Sequence, residues 1–376
     1  MSNTPPSRPK NKGREWAPRF WEGCNLPAWV RLLAHNRFDV QPPYWYIAAI
    51  ISCVSSIHSV LQFFEAAFYR HALRRTPVAR PPLFILGHWR TGTTLLHELL
   101  ILDPRHAFPT TYQCLEPNHF VLTDGVVPRL FNFLLPGRRP MDNMAAGWDR
   151  PQEDEFALCM LGQPSPYLTI AFPNRPPQHP EYLDLDSVPP RQREAWKAAF
   201  FGFLQKITYR NPRRLVLKSP PHTARIPILL EMFPEAQFVH ISRNPYVVFP
   251  STVNLWKSLY RKHGLQTPTF GGLEEQVFAT FVRMSEKYEA GKKQIDPSRL
   301  HELRYEDLVR DPLAEMQRLY EKLNLGSFDA AKPRIQQYLE RNKNYETNKY
   351  DLSPDLRAEV ARRWGDYIRK WGYESA

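Results

Sequence analysis

Arg90, Lys218 and Arg243 are three cations that an α/β chain can bring to one anion. Arg90 lies in the run Gly87-His88-Trp89-Arg90-Thr91-Gly92-Thr93-Thr94, directly after the apolar residues Leu83 to Leu86. Gly87 and Gly92 bracket four residues, the glycine spacing of a phosphate-binding loop, but Thr93 stands where an ATP or GTP hydrolase carries its lysine. A glycine loop that opens a helix offers unpaired backbone N–H groups and the positive end of the helix dipole, which together cradle an anion. Lys218 and Arg243 each end an apolar run, Leu215-Val216-Leu217 and Phe238-Val239-His240-Ile241. Neither run ends in the carboxylate that would hold Mg²⁺ for phosphoryl transfer, which argues against nucleotide hydrolysis. A glycine turn with no ligand is the alternative.

The elements that position these residues follow from apolar spacing. Leu83–Leu86, Leu215–Lys218, Phe238–Ser242 and a stretch from His301 read as buried strands. Leu95, Leu96, Leu99 and Leu100 give the first strand a following helix, closed by Asp103-Pro104. Ala224 to Phe233 is a helix between the second and third strands, the length of a right-handed parallel crossover. Arg191 to Tyr209 and a stretch beginning at Pro245 read as further helices, with Pro250 expected to kink or delay the second. The chain is therefore α/β, with a central, mostly parallel sheet flanked by helices in three layers.

Arg90-Thr91-Gly92-Thr93-Thr94 resembles the R-[ST]-G-T-T loop of sulfotransferases that use 3′-phosphoadenylyl sulfate (PAPS). Arg243 with Ser251 eight residues on resembles their 3′-phosphate site, and Arg304-Tyr305-Glu306-Asp307-Leu308 resembles their R-Y-E-[DQ]-L segment. The three motifs come in the family's order, and the resemblance is to bacterial sulfotransferases related to the tyrosylprotein sulfotransferases. It implies a P-loop-like fold and transfer of a sulfuryl group from PAPS to a hydroxyl or amine, with no metal. Arg90 and Lys218 would stabilise the transferring group. Arg90, Thr91, Gly92, Thr93, Thr94, Arg243 and Ser251 would hold the donor, with Tyr305 near the adenine. A basic loop near the C-terminus, carrying Lys343 or Lys349, would cover the 3′-phosphate.

Glu116 is expected to take the acceptor proton, ahead of two rivals. Cys114-Leu115-Glu116 resembles the Cys-Gly-Glu that carries the base in the tyrosylprotein enzymes, at a longer spacing from the loop arginine. His119 is the rival, since imidazole is the usual base near neutral pH. Glu153 is a third candidate. It opens the run Glu153-Asp154-Glu155, which reads either as the acidic first turn of a helix or as a polar wall of an acceptor pocket.

Composition limits the alternatives. A formal charge of +12 fits an anionic nucleotide, and no nucleic-acid module is recognisable. Four cysteines without metal spacing, and no secretory signal, point to reduced thiols in the cytoplasm. Residues 1–15 read as a disordered basic arm, 16–80 as a helical extension and 81–376 as the catalytic domain. Within the extension, Ile47, Ile50, Val54, Ile57, Leu61, Phe64 and Phe68 form an apolar stripe opposite Ser52, Ser55, Ser59, Gln62 and Glu65. The stripe is expected to pack on the core. A membrane-surface or dimer helix and a membrane span are the alternatives, with Arg70, Arg74, Arg75 and Arg80 suited to anionic headgroups. The competing functions are another nucleotide-dependent transferase, such as a kinase, and a non-catalytic membrane-associated protein. The oligomeric state and the acceptor are open, although the aromatic, Pro-rich stretch between Tyr112 and Trp196 suggests an apolar component.

Overall fold

The computed structural model describes residues 19–78, 80–130, 147–343 and 351–374. The arm expected over 1–15 and the candidate Lys349 lie outside these residues. Five strands form one sheet: β1 Leu83–Leu86, β2 His106–Ala107, β3 Arg214–Lys218, β4 Gln237–Ser242 and β5 Leu300–Arg304. Their order is β2-β3-β1-β4-β5, and every pairing is parallel.

Alternation along β1 explains the layers. Phe84 and Leu86 join one apolar cluster with Leu215, Leu217 and Phe238. Leu83 and Ile85 join the other with Val216, Val239 and Ile241. A sheet buried on both faces carries helices on both faces. In chain order the first helices are α1 Leu26–His35, α2 Trp45–Arg75, α3 Thr93–Leu100, α4 Thr111–Leu115, α5 Phe120–Thr123 and α6 Val127–Leu130. There follow α7 Asp154–Met160, α8 Pro190–Arg210, α9 Ile226–Met232, α10 Pro245–His263, α11 Leu273–Lys292, α12 Tyr305–Arg310 and α13 Pro312–Lys322. Three short C-terminal helices, α14 Lys332–Arg341, α15 Pro354–Arg363 and α16 Gly365–Trp371, close the described chain.

Two sequence expectations change. Helix α10 starts at Pro245 and runs through Pro250 as one element. That proline lies in the second turn, so only its own missing N–H is lost from the helix ladder. The apolar stripe expected to pack from helix α2 does so only in part, with Ile47 buried and Val54 and Leu61 half-buried. Ser55, His58 and Glu65 are buried, while Ile50, Ile57, Phe64 and Phe68 are exposed. Ser52, Ser59, Gln62 and Glu65 find partners on the protein side. Trp29 Nε1 donates to Ser52 and Leu26 N to Ser59, each at 2.9 Å. Asn25 donates to Gln62 at 2.9 Å, and Lys206 of α8 pairs with Glu65 at 2.6 Å.

Candidate active site

The carboxyl ends of β1, β3, β4 and β5 deliver the candidate residues to one edge of the sheet, where open α/β folds bind ligands. After Leu86 the chain turns through Gly87 to Gly92 into α3. Gly92 sits at φ 101°, where a side chain is strained, and a Cβ there would lie 2.3 Å from the Tyr305 ring. Among the described residues no side chain caps the first turn of α3, so its amides are available to an anion. Thr93 opens that turn and is buried, Thr94 is half-buried beside it, and Thr91 is buried with its hydroxyl donating to His88 O at 2.8 Å.

The two other motifs close on this loop. Arg90 itself adopts φ 71°, and its Nε donates to Ser251 Oγ at 2.7 Å. Arg243 Nη1 donates to the carbonyl of Arg90 at 3.0 Å, and its guanidinium stacks 4.0 Å over the ring of Tyr305. Tyr367, from α16, accepts from Arg243 N at 3.0 Å and fixes the end of β4. The structure therefore brings Arg90, Thr91, Gly92, Thr93, Thr94, Arg243, Ser251 and Tyr305 together. Lys343 is exposed at the end of α14 and paired with Glu340 at 2.5 Å.

Lys218 pairs with Ile85 in the sheet register and so emerges beside the loop. It is buried, and its Nζ lies 2.8 Å from Glu153 Oε1. The other Glu153 oxygen accepts from Tyr167 OH at 2.5 Å, and that hydroxyl accepts from Trp89 Nε1 at 2.9 Å. A chain of three hydrogen bonds thus ties Lys218, Glu153 and Tyr167 to the loop residue preceding Arg90. Trp89, Tyr167 and Trp256 surround it, with Trp256 edge-on to both other rings at centroid distances of 5.6 and 6.1 Å.

The acids after Glu153 pair in parallel with the turn after β3. Asp154 bonds His222 at 2.6 Å, and Glu155 takes two bonds from Arg225 at 2.5 and 3.0 Å. All four side chains are fully buried. Contact with His222 keeps the Asp154 carboxyl below its ordinary range despite burial. The acidic run is thus both a helix start and a row of partners for Lys218, His222 and Arg225.

Glu116 and His119 are placed elsewhere in the contact network. Glu116 Oε2 lies 3.2 Å from His119 Nε2 and 3.4 Å from His58 Nε2 of α2. Burial pushes the Glu116 carboxyl up to about 7 and the His119 imidazole down to about 4. His119 Nδ1 also meets Thr123 Oγ1 at 3.0 Å.

Residues 81–329 match the profile described as the Sulfotransferase family. Two curated proteins named omega-hydroxy-beta-dihydromenaquinone-9 sulfotransferase Stf3 are 50% identical over 364 residues, covering 97% of this chain and 94% of each relative. They come from Mycobacterium bovis (strain ATCC BAA-935 / AF2122/97) and Mycobacterium tuberculosis (strain CDC 1551 / Oshkosh). Among solved structures, sulfotransferase STF9 from Mycobacterium avium superposes with a TM-score of 0.67 at 20% identity, covering 91% of each chain. STF1 from Mycobacterium tuberculosis H37Rv gives 0.60 at 17% identity, covering 90% of this chain and 91% of that one. These two share the fold. The anion loop without a Walker lysine, the cations at the neighbouring strand ends and the family match agree: the chain belongs to the sulfotransferase family and is an enzyme of that class.

Proposed function

We propose that this sulfotransferase moves the sulfuryl group of PAPS onto a hydroxyl carried by an apolar, prenylated lipid, with Glu153 as the base. The Stf3 relatives, named for a hydroxylated dihydromenaquinone, support that acceptor class. Residues 81–376 would form the catalytic unit, with 16–80 as an extension carrying α1 and α2. The donor fits the residues present. The amides of the loop and of α3 suit the 5′-phosphosulfate, Arg243 and Ser251 the 3′-phosphate, and the Tyr305 ring a base.

The observation carrying the reading is the 2.8 Å contact between Lys218 and Glu153 beside the loop. In the reaction the acceptor oxygen forms a bond to sulfur while the bond from sulfur to the phosphate oxygen breaks. The acceptor proton goes to Glu153, and 3′,5′-ADP leaves. Lys218 and Arg90 face the charge that builds on the bridging oxygen, the placement from which cations lower the barrier most. Tyr167 holds Glu153 by its second oxygen, so that the first can turn between Lys218 and the acceptor.

The test compares kcat for Glu153→Gln, Glu116→Gln and His119→Ala, with 3′,5′-ADP affinity measured in parallel. Glu153→Gln should lose roughly 10²–10⁴-fold in kcat, the contribution of a positioned base, with nucleotide affinity kept. If Glu116→Gln or His119→Ala shows that loss and Glu153→Gln does not, the base is in the other cluster.

A further inference from the structure

Helix α2 wears its polarity inside out. Ser52, Ser59, Gln62 and Glu65 are spent on Asn25, α1, α5 and α8, where Glu65 also accepts from Leu122 N at 3.2 Å. Its opposite side carries Ile50, Ile57, Val60, Phe63, Phe64 and Phe68, each between 44% and 70% exposed. Spacings of three and four put these on one stripe that runs about 27 Å along the helix, from Ile50 to Phe68. An apolar stripe of this length exceeds what a soluble surface normally leaves bare and marks an interaction face.

Two features identify what covers it. Trp45 and Tyr46 lie exposed at the first turn, the side chains that favour a membrane–water boundary. At the other end Arg70, Arg74, Arg75 and Arg80 are exposed. Arg70 stands seven residues from Phe63 and Arg75 seven from Phe68, so both continue the apolar stripe. An apolar band bounded by aromatic anchors and a basic end complements a bilayer with anionic headgroups. Spanning the bilayer would carry His58, Gln62 and Glu65 into hydrocarbon and pull them off their partners, although the helix is long and apolar enough by composition.

We infer that α2 lies in the plane of an anionic membrane surface, its apolar stripe among the acyl chains and its arginines on the headgroups. This deepens the lipid-acceptor reading. It rests on that reading for its purpose, and on the exposed helix for its geometry. A monotopic enzyme can take an acceptor from the leaflet without releasing it to water.

The experiment is flotation of the full-length protein with phosphatidylcholine vesicles, with and without phosphatidylglycerol. Wild type should float with the mixed vesicles. Phe63→Ser/Phe64→Ser/Phe68→Ser should lose at least about tenfold in partitioning to either vesicle while keeping turnover of a soluble acceptor. Arg70→Gln/Arg74→Gln/Arg75→Gln should lose on the order of a hundredfold on mixed vesicles and little on neutral ones. Wild type that never floats, or an apolar variant that floats like wild type, overturns the inference. So does self-association, removed by the apolar variant, in a protein that ignores vesicles, which would give the face to a second copy. Turnover of a detergent-solubilised lipid acceptor without vesicle binding would sink the membrane inference alone. Vesicle binding with turnover confined to soluble acceptors would sink the lipid-acceptor reading alone.

Discussion

Ser251 Oγ accepts from Arg90 Nε at 2.7 Å, so a residue just past a helix-interior proline aims the cation of the anion loop. Arg243 takes hold of the same arginine from the other side, through its carbonyl at 3.0 Å. Arg243 and Ser251 therefore both brace the loop that carries Arg90.

Arg243→Ala is expected to weaken 3′,5′-ADP binding more than Ser251→Ala. The first removes a charged fork and a brace on the loop, where hydrogen bonds to charged groups contribute roughly 1.5–3 kcal/mol each. The second removes one neutral hydroxyl. Titration calorimetry reads both, and equal small losses would take Arg243 out of the nucleotide site.

Gly92→Ala should damage the loop without touching a polar group. Its Cβ would strike the Tyr305 ring at 2.3 Å, and the left-handed backbone at φ 101° adds roughly 1–3 kcal/mol of strain. Adding Tyr305→Ala relieves the clash and leaves the strain. Nucleotide affinity in the double variant should thus stay below that of Tyr305→Ala alone, and equal affinity in the two would show that the backbone conformation is unimportant.

Arg225→Met should be among the most destabilising single changes in the chain. It would leave Glu155 fully buried and unpaired, a situation that costs roughly 3–5 kcal/mol. Thermal unfolding of the single variant and of Arg225→Met/Glu155→Gln checks this. The double variant should regain much of the loss, and no regain would contradict the ion-pair account.

The Glu116 cluster predicts a pH signature in stability. Glu116 is raised from an ordinary 4.5 to about 7, so over that window the folded protein holds a proton that the unfolded chain has released. The unfolded state binds fewer protons there, and stability falls as pH rises. His119, lowered from 6.5 to about 4, pulls the other way, because the unfolded chain binds the extra proton. Glu116→Gln removes the first effect and leaves the second. Its Tm relative to wild type should climb between about pH 4.5 and 7, whereas a constant difference would show that Glu116 titrates normally.

Tyr167→Phe tests positioning rather than chemistry. The hydroxyl links Trp89 to Glu153 and would never touch the donor. We expect kcat to fall by about tenfold, less than the loss of the base itself, with KM for PAPS unchanged. A rise in that KM with normal kcat would move Tyr167 to donor binding.

The anion loop was legible in the sequence because glycine spacing and a following apolar repeat dictate its backbone locally. Arg243 was legible as the end of an apolar strand, whereas Ser251 came from the family resemblance alone, and one lost hydrogen bond at Pro250 does not stop a helix held by packing. Glu153 was harder to rank. Acids at a helix start look alike whether they face water or cations from a strand that arrives 65 residues later. The periodicity of α2 was plain, but not which side packs. A repeat fixes the angle between two faces, and only the partners waiting at Trp29, Leu122 and Lys206 decide which turns inward.

The position of β1 at the centre of the sheet has a consequence for the nascent chain. Its two neighbours start at Arg214 and Gln237, more than a hundred residues downstream, so no hairpin or adjacent βαβ pair can nucleate around it. Long-range pairing of this kind folds slowly, because loop closure comes before the contacts that reward it. The loop that leaves β1 leaves the ribosome early, yet its clamps arrive with Arg243, Tyr305 and finally Tyr367. Nucleotide capture is therefore one of the last properties the polypeptide acquires during synthesis, and ligand present at that moment would draw the final assembly forward by mass action.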